Sequence, residues 1–328
     1  MCNDLTVHLS RYNTCSLVFL PTKMTATRIV IEMIEELESD LHRAAPSALL
    51  IDFVVYWYQD IIAHDIEKTT YYGYRLNLEN HILPYFRPLK LRLKDITTQH
   101  ISKFFERMAS EEYAVERGGK QLSANSIGRF HANLKTAFDF AVSQGWMPAN
   151  PARSLKAPKK EPYKADFYYM DEIVDLWLAV KGTIIEPAVF LTSLYGFRRG
   201  EICGILKSSL DFENRLIPIV NTRTRAETEI IKPPKTAASM RTMPMMEAVA
   251  HYLKMILDQQ KEAREFLGNT YVESDYLIVD EFGKPLSLNR LNKLFNKAIK
   301  EKGMRPIRFH DLRHPRVKLG LNITDFLN

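Results

Sequence analysis

Between Ser47 and Val142 the apolar side chains recur at spacings of three and four, the pattern of helices that each bury one face. Four such stretches follow one another. The first, Leu49 to Ile62, is strongly apolar and aromatic. The second opens at Thr69 or Thr70, since either hydroxyl can accept from a first-turn N–H. It should stop before Pro84, whose ring disfavours the α conformation in the residue ahead of it. Thr97 can cap the third, which sets Ile101, Phe104, Phe105 and Met108 on one face. Ser123 or Asn125 can cap the fourth, where Ile127, Phe130, Leu134, Ala137, Phe138 and Ala141 line up. Gly145 and then Asn150-Pro151 end it. The pattern predicts a small all-helical bundle over residues 45–150.

Periodicity is lost over residues 151–165, which hold three prolines and five Lys/Arg. So little to bury and so many extended-backbone residues mark a basic linker between domains. Beyond it, residues 166–328 predict helices near 170–180 and 185–196 and a strand from Arg215 to Asn221. A hairpin-like stretch, Glu229 to Pro244, follows, then helices at 246–267 and 288–302 and a last segment around His310. Ahead of the bundle, Met24 to Leu41 reads as an acidic amphipathic helix, and residues 1–44 remain an unassigned extension. The fold class expected is mainly α with a small β-sheet, in two domains.

A chain of 328 residues with 46% hydrophobic content can give each of two domains a core. The longest apolar run, Ala48 to Trp57, is interrupted by Asp52 and is far short of a membrane span. No charged-then-apolar leader opens the chain, which points to a cytoplasmic protein without a membrane partner. Cys2, Cys15 and Cys203 have neither metal-ligand nor disulfide spacing and fit a reducing compartment. Charge changes the picture more. Residues 1–65 carry 4 Lys/Arg against 9 Asp/Glu, while residues 66–160 carry 16 against 8. A basic centre suggests a polyanion partner, although charge alone fits a solvated helix surface equally well.

Three short stretches carry candidate chemistry. In Leu194-Tyr-Gly-Phe-Arg198-Arg199-Gly-Glu201 an arginine pair opens a helix, and Glu201 can reach back one turn to hold the Arg198 guanidinium. Lys235, in Lys235-Thr-Ala-Ala-Ser239-Met-Arg241-Thr-Met-Pro244, sits at the mouth of the hairpin, with a return strand from Arg241. There it can reach a DNA groove and give a proton to a departing oxygen. In Arg308-Phe-His310-Asp311-Leu-Arg313-His314 the histidine and Arg313 share one helical face, and Asp311 can cap the turn. Each alone has an ordinary reading as a solvated helix face, an exposed turn lysine or a surface pair.

Taken in this order, the three stretches resemble the tyrosine recombinases, the integrases of phages and conjugative elements, over about residues 45–314. The resemblance implies a helical core-binding (SAM-like) domain followed by a catalytic domain, acting on double-stranded DNA at core-type recombination sites. It assigns Arg198 and Arg313 to the nonbridging phosphate oxygens and Lys235 to the 5′-oxygen leaving group. His310 would assist proton transfer, with Glu201 and His314 in support and no metal or cofactor. It also implies a nucleophilic tyrosine after the last stretch, yet the last tyrosine here is Tyr276. The sequence therefore leads us to expect a frameshift or premature stop soon after His314. The chain would then be unable to cleave alone, and would act with intact integrase subunits, compete with them as a core-site binder, or be a decayed remnant. The arm-site DNA-binding domain often found at the start of such proteins is not recognisable in residues 1–44.

Overall fold

The computed structural model describes residues 47–156, 158–159, 166–232 and 240–313. The chain divides into two compact units, one comprising Met1–Ile66 and Tyr74–Lys160, the other Glu67–Gly73 and Glu161–Asn328.

The first unit is all helical, and one of its helical runs begins in residues 68–73, which belong to the second unit. Leu50–Tyr56 continues through a π-helical turn, Trp57–Ile61, into Ile62–Asp65. The second helical run starts at Lys68, leaving Thr69 and Thr70 inside its first turn rather than capping it, and it does not stop before Pro84. Lys68–Asn77 passes through a π turn, Leu78–Ile82, into Leu83–Phe86. The Leu83 N–H there reaches back five residues to the Leu78 carbonyl. This wider turn relieves the clash that a proline ring makes with the carbonyl four residues before it, so the helix survives. Thr97 caps Thr98–Ala109, its backbone N–H donating to His100 Nδ1 at 3.2 Å. Ser123, not Asn125, caps Ala124–Ser143, its Oγ accepting from the Ser126 N–H at 3.2 Å. Gly145 ends that helix at φ +71°, where other residues are strained. A short helix absent from the sequence reading, Glu111–Glu116, is capped by Ser110.

The core of this unit is aromatic: Phe86, Phe104, Phe130 and Phe138 are buried, with Phe104 5.3 Å from Phe86 and 6.0 Å from Phe130 between ring centroids. Burying each ring is worth roughly 1.5–3 kcal/mol. The start of the basic segment is anchored to the same unit. Asn150 Nδ2 donates to the Lys135 carbonyl and to Asp139 Oδ1, Arg153 pairs with Asp139, and the Ala152 carbonyl lies 2.8 Å from His131 Nε2.

In the second unit, helices Met170–Val180, Glu186–Tyr195, Glu247–Leu267 and Leu288–Glu301 enclose the core. Trp177, Phe190, Tyr252 and Phe295 are among its buried members. Four short strands form two antiparallel pairs. β1 (Leu216–Ile219) pairs with β4 (Arg241–Pro244), and β2 (Thr222–Arg225) with β3 (Glu229–Lys232). The expected hairpin from Glu229 to Pro244 is thereby corrected: the β3 partner lies before it, and β4 returns to β1. Burial decides this pairing. Ile217 and Ile219 point into the core, so β1 is an inner ribbon whose backbone needs a partner, and β4 supplies it in register. The last described element is a 3₁₀ turn, Phe309–Arg313, where an α-helical face was expected. Residues three apart still eclipse one another in a 3₁₀ turn, so His310 and Arg313 stay on one side while Phe309 and Leu312 anchor the other.

Candidate functional site

The site grows from a helix end. Glu186–Tyr195 terminates at Gly196, whose φ of +67° is left-handed, and buried Phe197 then turns the chain so that Arg198 is the N-cap of the turn Arg199–Ile202. That turn lies directly on β2. A Cβ at Gly200 would stand 2.4 Å from the Arg223 carbonyl oxygen, and one at Gly204 would stand 2.8 Å from that of Asn221. Glycine is required here by close backbone approach.

Glu201 is 2% exposed, and among the described residues its carboxylate is held by two arginines, Arg198 and Arg241. The Arg198 backbone N–H donates to Oε2 at 2.8 Å and its Nη1 to Oε1 at 2.6 Å. Arg241, the first residue of β4, donates Nη1 to Oε1 at 3.2 Å and Nη2 to Oε2 at 2.9 Å. Burial by itself would push this carboxyl up. The Arg241 side chain, the Arg198 N–H and the Arg198 guanidinium outweigh it and bring it down to about 2.

A carboxyl held so low in the folded state stabilises the fold above its unfolded value near 4.5, and that contribution drains away as pH falls toward about 2. The gap corresponds to something on the order of 3 kcal/mol. The stability advantage of the wild type over Glu201→Gln, from urea midpoints, should therefore shrink steadily from pH 5 downward. An advantage that stays flat over that range would contradict the pairing.

Arg313 meets this cluster from the 3₁₀ turn. Its Nε donates to the Gly196 carbonyl at 2.9 Å, and its pKa is pushed down by burial first and then by the Arg198 charge, with Glu201 opposing. Two guanidiniums close enough to repel are relieved by an anion set between them. Arg198, Glu201 and His310 line one concave surface, together with Arg199, Arg225 and Arg308 and with Asn292 and Asn296 from Leu288–Glu301. The turn carrying His310 is latched by Asp311, 2% exposed, which accepts from the Arg308 backbone N–H (3.1 Å), Nε (3.0 Å) and Nη2 (2.7 Å). Asp311 is therefore not the expected cap: it is the third residue of the turn and reaches back to Arg308, the residue that precedes the turn.

Two of the residues singled out from the sequence, Lys235 and His314, lie outside the described residues. Sequence reasoning also missed two parts of this construction. Arg241 appeared there only as the start of a strand. Arg223, 8% exposed, donates to the Leu286 carbonyl at 2.9 Å and pairs with Glu229, whose other oxygen accepts from the Leu288 N–H at 2.9 Å. It ties the β2–β3 hairpin to the start of Leu288–Glu301. A buried arginine on a four-residue strand reads as a polar position in sequence, and its partners are reached only through the β2–β3 pairing and across 63 residues to Leu286, so no local signal exposes it.

Among the described residues no tyrosine lines this surface. Nor do they gather three or more His, Cys, Asp or Glu as a metal site, or contain a helix long and apolar enough to cross a membrane.

Comparison with known proteins follows the same division. Residues 172–316 match the model of the phage integrase family, and residues 50–109 match the phage integrase N-terminal SAM-like domain. A tyrosine recombinase XerC-like protein of Caldanaerobacter subterraneus subsp. tengcongensis is 23% identical over 315 residues, 89% of this chain and 77% of that protein. A probable integrase of prophage ps2 from Lactococcus lactis subsp. lactis is 25% identical over 301 residues, 86% of this chain and 75% of that one. Among solved structures, the Tn1549 transposon integrase in complex with a circular intermediate DNA shares the fold, with a TM-score of 0.65 and 19% identity over 81% of this chain and 84% of that one. A lambda integrase dimer bound to a COC′ core site does so with a TM-score of 0.57 and 17% identity over 86% and 77%.

Proposed function

The chain belongs to the phage integrase family of tyrosine recombinases, and from that premise we propose that it binds duplex DNA at core-type sites and supplies the charge for phosphotyrosyl strand transfer. The observation that carries this reading is the concave surface that Arg198, braced on the buried Glu201 carboxylate, lines together with His310, while Arg313 is near enough for the Arg198 charge to push its pKa down.

In the proposed step a tyrosine hydroxyl attacks a DNA phosphorus. The new P–O bond forms as the bond to the 5′-oxygen breaks, and the tyrosine proton leaves while the 5′-oxygen gains one. Negative charge gathers on the nonbridging oxygens, where planar guanidiniums from Arg198 and Arg313 match the geometry. They do there what a divalent cation does in other phosphoryl-transfer sites. His310 assists proton transfer at the phosphorane, and Lys235, on the segment between β3 and β4, protonates the leaving oxygen. His314 supports the site, and the attacking hydroxyl comes from outside the described residues, from this chain or another subunit. Intact integrase subunits are therefore the protein partners proposed.

A nicked duplex carrying the end sequence of the element that encodes the chain tests the reading, with and without intact integrase subunits. A covalent protein–DNA adduct that depends on Arg198 and Arg313 is expected. If substituting either arginine leaves the adduct yield unchanged, the assignment fails. DNA binding is tested separately. If some six phosphates are neutralised, log K should fall with log salt at a slope of about −5. A slope near zero removes the DNA partner, whereas a steep slope without any adduct identifies a core-site binder that competes with active integrase.

A further inference from the structure

Arg241 has a different relation to the site from the other arginines. Like Arg313 it is not among the residues lining the concave surface, but it alone gives two amino groups to Glu201, where Arg198 gives one and Arg313 bonds the Gly196 carbonyl. We propose that Arg241 is a positioning residue: by occupying the Glu201 carboxylate from β4, it keeps the Arg198 guanidinium available to an oxyanion. The inference rests on reading the cavity as a phosphate clamp.

The argument follows from hydrogen-bonding capacity. An ionised carboxylate accepts about four hydrogen bonds, and a buried one is costly unless they are made. Glu201 is buried and receives four: the Arg198 N–H, one Arg198 amino group and two amino groups of Arg241. Arg198 therefore commits one amino group, and its side chain is 48% exposed along the cavity. Without Arg241, the carboxylate would be left with Arg198 alone. Fork-to-carboxylate pairing is the favoured geometry for such a pair, so Glu201 would draw the mobile half-exposed guanidinium down onto both of its oxygens. Fewer of its five N–H donors would then face a phosphate in the cavity. Arg241 and Glu201 are 40 residues apart, so this hold also links β4 to the turn that carries Arg198.

Tungstate, a tetrahedral oxyanion, is the probe, titrated calorimetrically into the full-length chain. Arg241→Ala should weaken tungstate binding about tenfold, the scale of one charge-assisted hydrogen bond. Arg241→Lys, which still offers donors to Glu201, should recover part of the loss. In a Glu201→Gln background the neutral amide no longer captures Arg198, so adding Arg241→Ala should cost no more than about twofold. That double variant also removes the buried charge together with its partner, which keeps the comparison free of an orphaned carboxylate; thermal unfolding of each variant checks folding. Wild-type affinity in a folded Arg241→Ala protein would overturn the proposal. So would an equal tenfold loss in both backgrounds, since Arg241 would then act on the anion directly. Arg198→Ala separates the two levels: unchanged tungstate binding there sinks the clamp itself, while a loss there without one in Arg241→Ala sinks the positioning role alone.

Discussion

Arg198→Ala is expected to slow covalent adduct formation at a recombination site by about 10³-fold while barely weakening duplex binding. Removing one preorganised donor from a developing oxyanion costs about 10²–10³ in rate, and removing an arginine that neutralises a transferring phosphoryl group costs 10³–10⁵. Arg198 suits both of the roles proposed for it, being half exposed on the cavity wall and paired with Glu201. Ground-state binding should hardly change, because one phosphate contact among several lowers the salt slope by only about one. The fold should survive too, since Arg241 still holds both oxygens of Glu201. Arg198→Lys should recover little of the rate, because an ammonium is a point charge and cannot present two parallel N–H groups. The measurement is the first-order rate of adduct formation on nicked core-site duplex beside the dissociation constant at fixed salt. A variant that loses affinity and rate in equal proportion would mean that Arg198 binds DNA without favouring the transition state.

Helix existence was legible in the sequence because it depends on local information. Caps at Thr97 and Ser123, the stop at Gly145 and the apolar rows of Ala124–Ser143 are all settled within four residues of one another. Arg198, Glu201, His310 and Arg313 stand out because each pair is three residues apart, which a helical or 3₁₀ turn sets side by side. It is the resemblance of the three stretches together to the tyrosine recombinases that assigns them to a site. What was not legible depends on long-range pairing. Nothing in Glu229 to Pro244 says that β3 turns back to β2 while β4 crosses to β1, because four-residue strands carry too few alternations to choose between partners. Arg241 and Arg223 go unnoticed as a consequence, since their carboxylate and carbonyl partners are brought to them only by that pairing. The helix through Pro84 illustrates a different limit. The rule against proline assumes regular α geometry, and the π turn just ahead of it changes that geometry.

The backbone under the arginines makes the second large prediction. Gly200→Val should destabilise the second unit by about 3 kcal/mol or more, a large share of the stability of an ordinary domain and enough to lower its urea midpoint markedly. A Cβ at this position would lie 2.4 Å from the Arg223 carbonyl oxygen and 2.8 Å from Thr222 Oγ1. The Thr222 hydroxyl can rotate aside, but the carbonyl cannot, because it belongs to β2 and that strand is bonded to β3. Relief requires β2 to retreat by most of an ångström. Arg223 would go with it, and its guanidinium is what fastens the hairpin to the Leu286 carbonyl and, through Glu229, to the Leu288 N–H. Even Gly200→Ala should therefore be damaging, although alanine is ordinarily the better helix former by about 1 kcal/mol. Gly73→Ala is the matching control. It sits inside Lys68–Asn77 with nothing within 4 Å of its added Cβ, so the same exchange there should be neutral or stabilising by up to about 1 kcal/mol. Urea midpoints for the two alanine variants should move in opposite directions. If Gly200→Ala unfolds no earlier than wild type, the turn that carries Arg198 is not seated on β2, and the arginine clamp built above it loses its support.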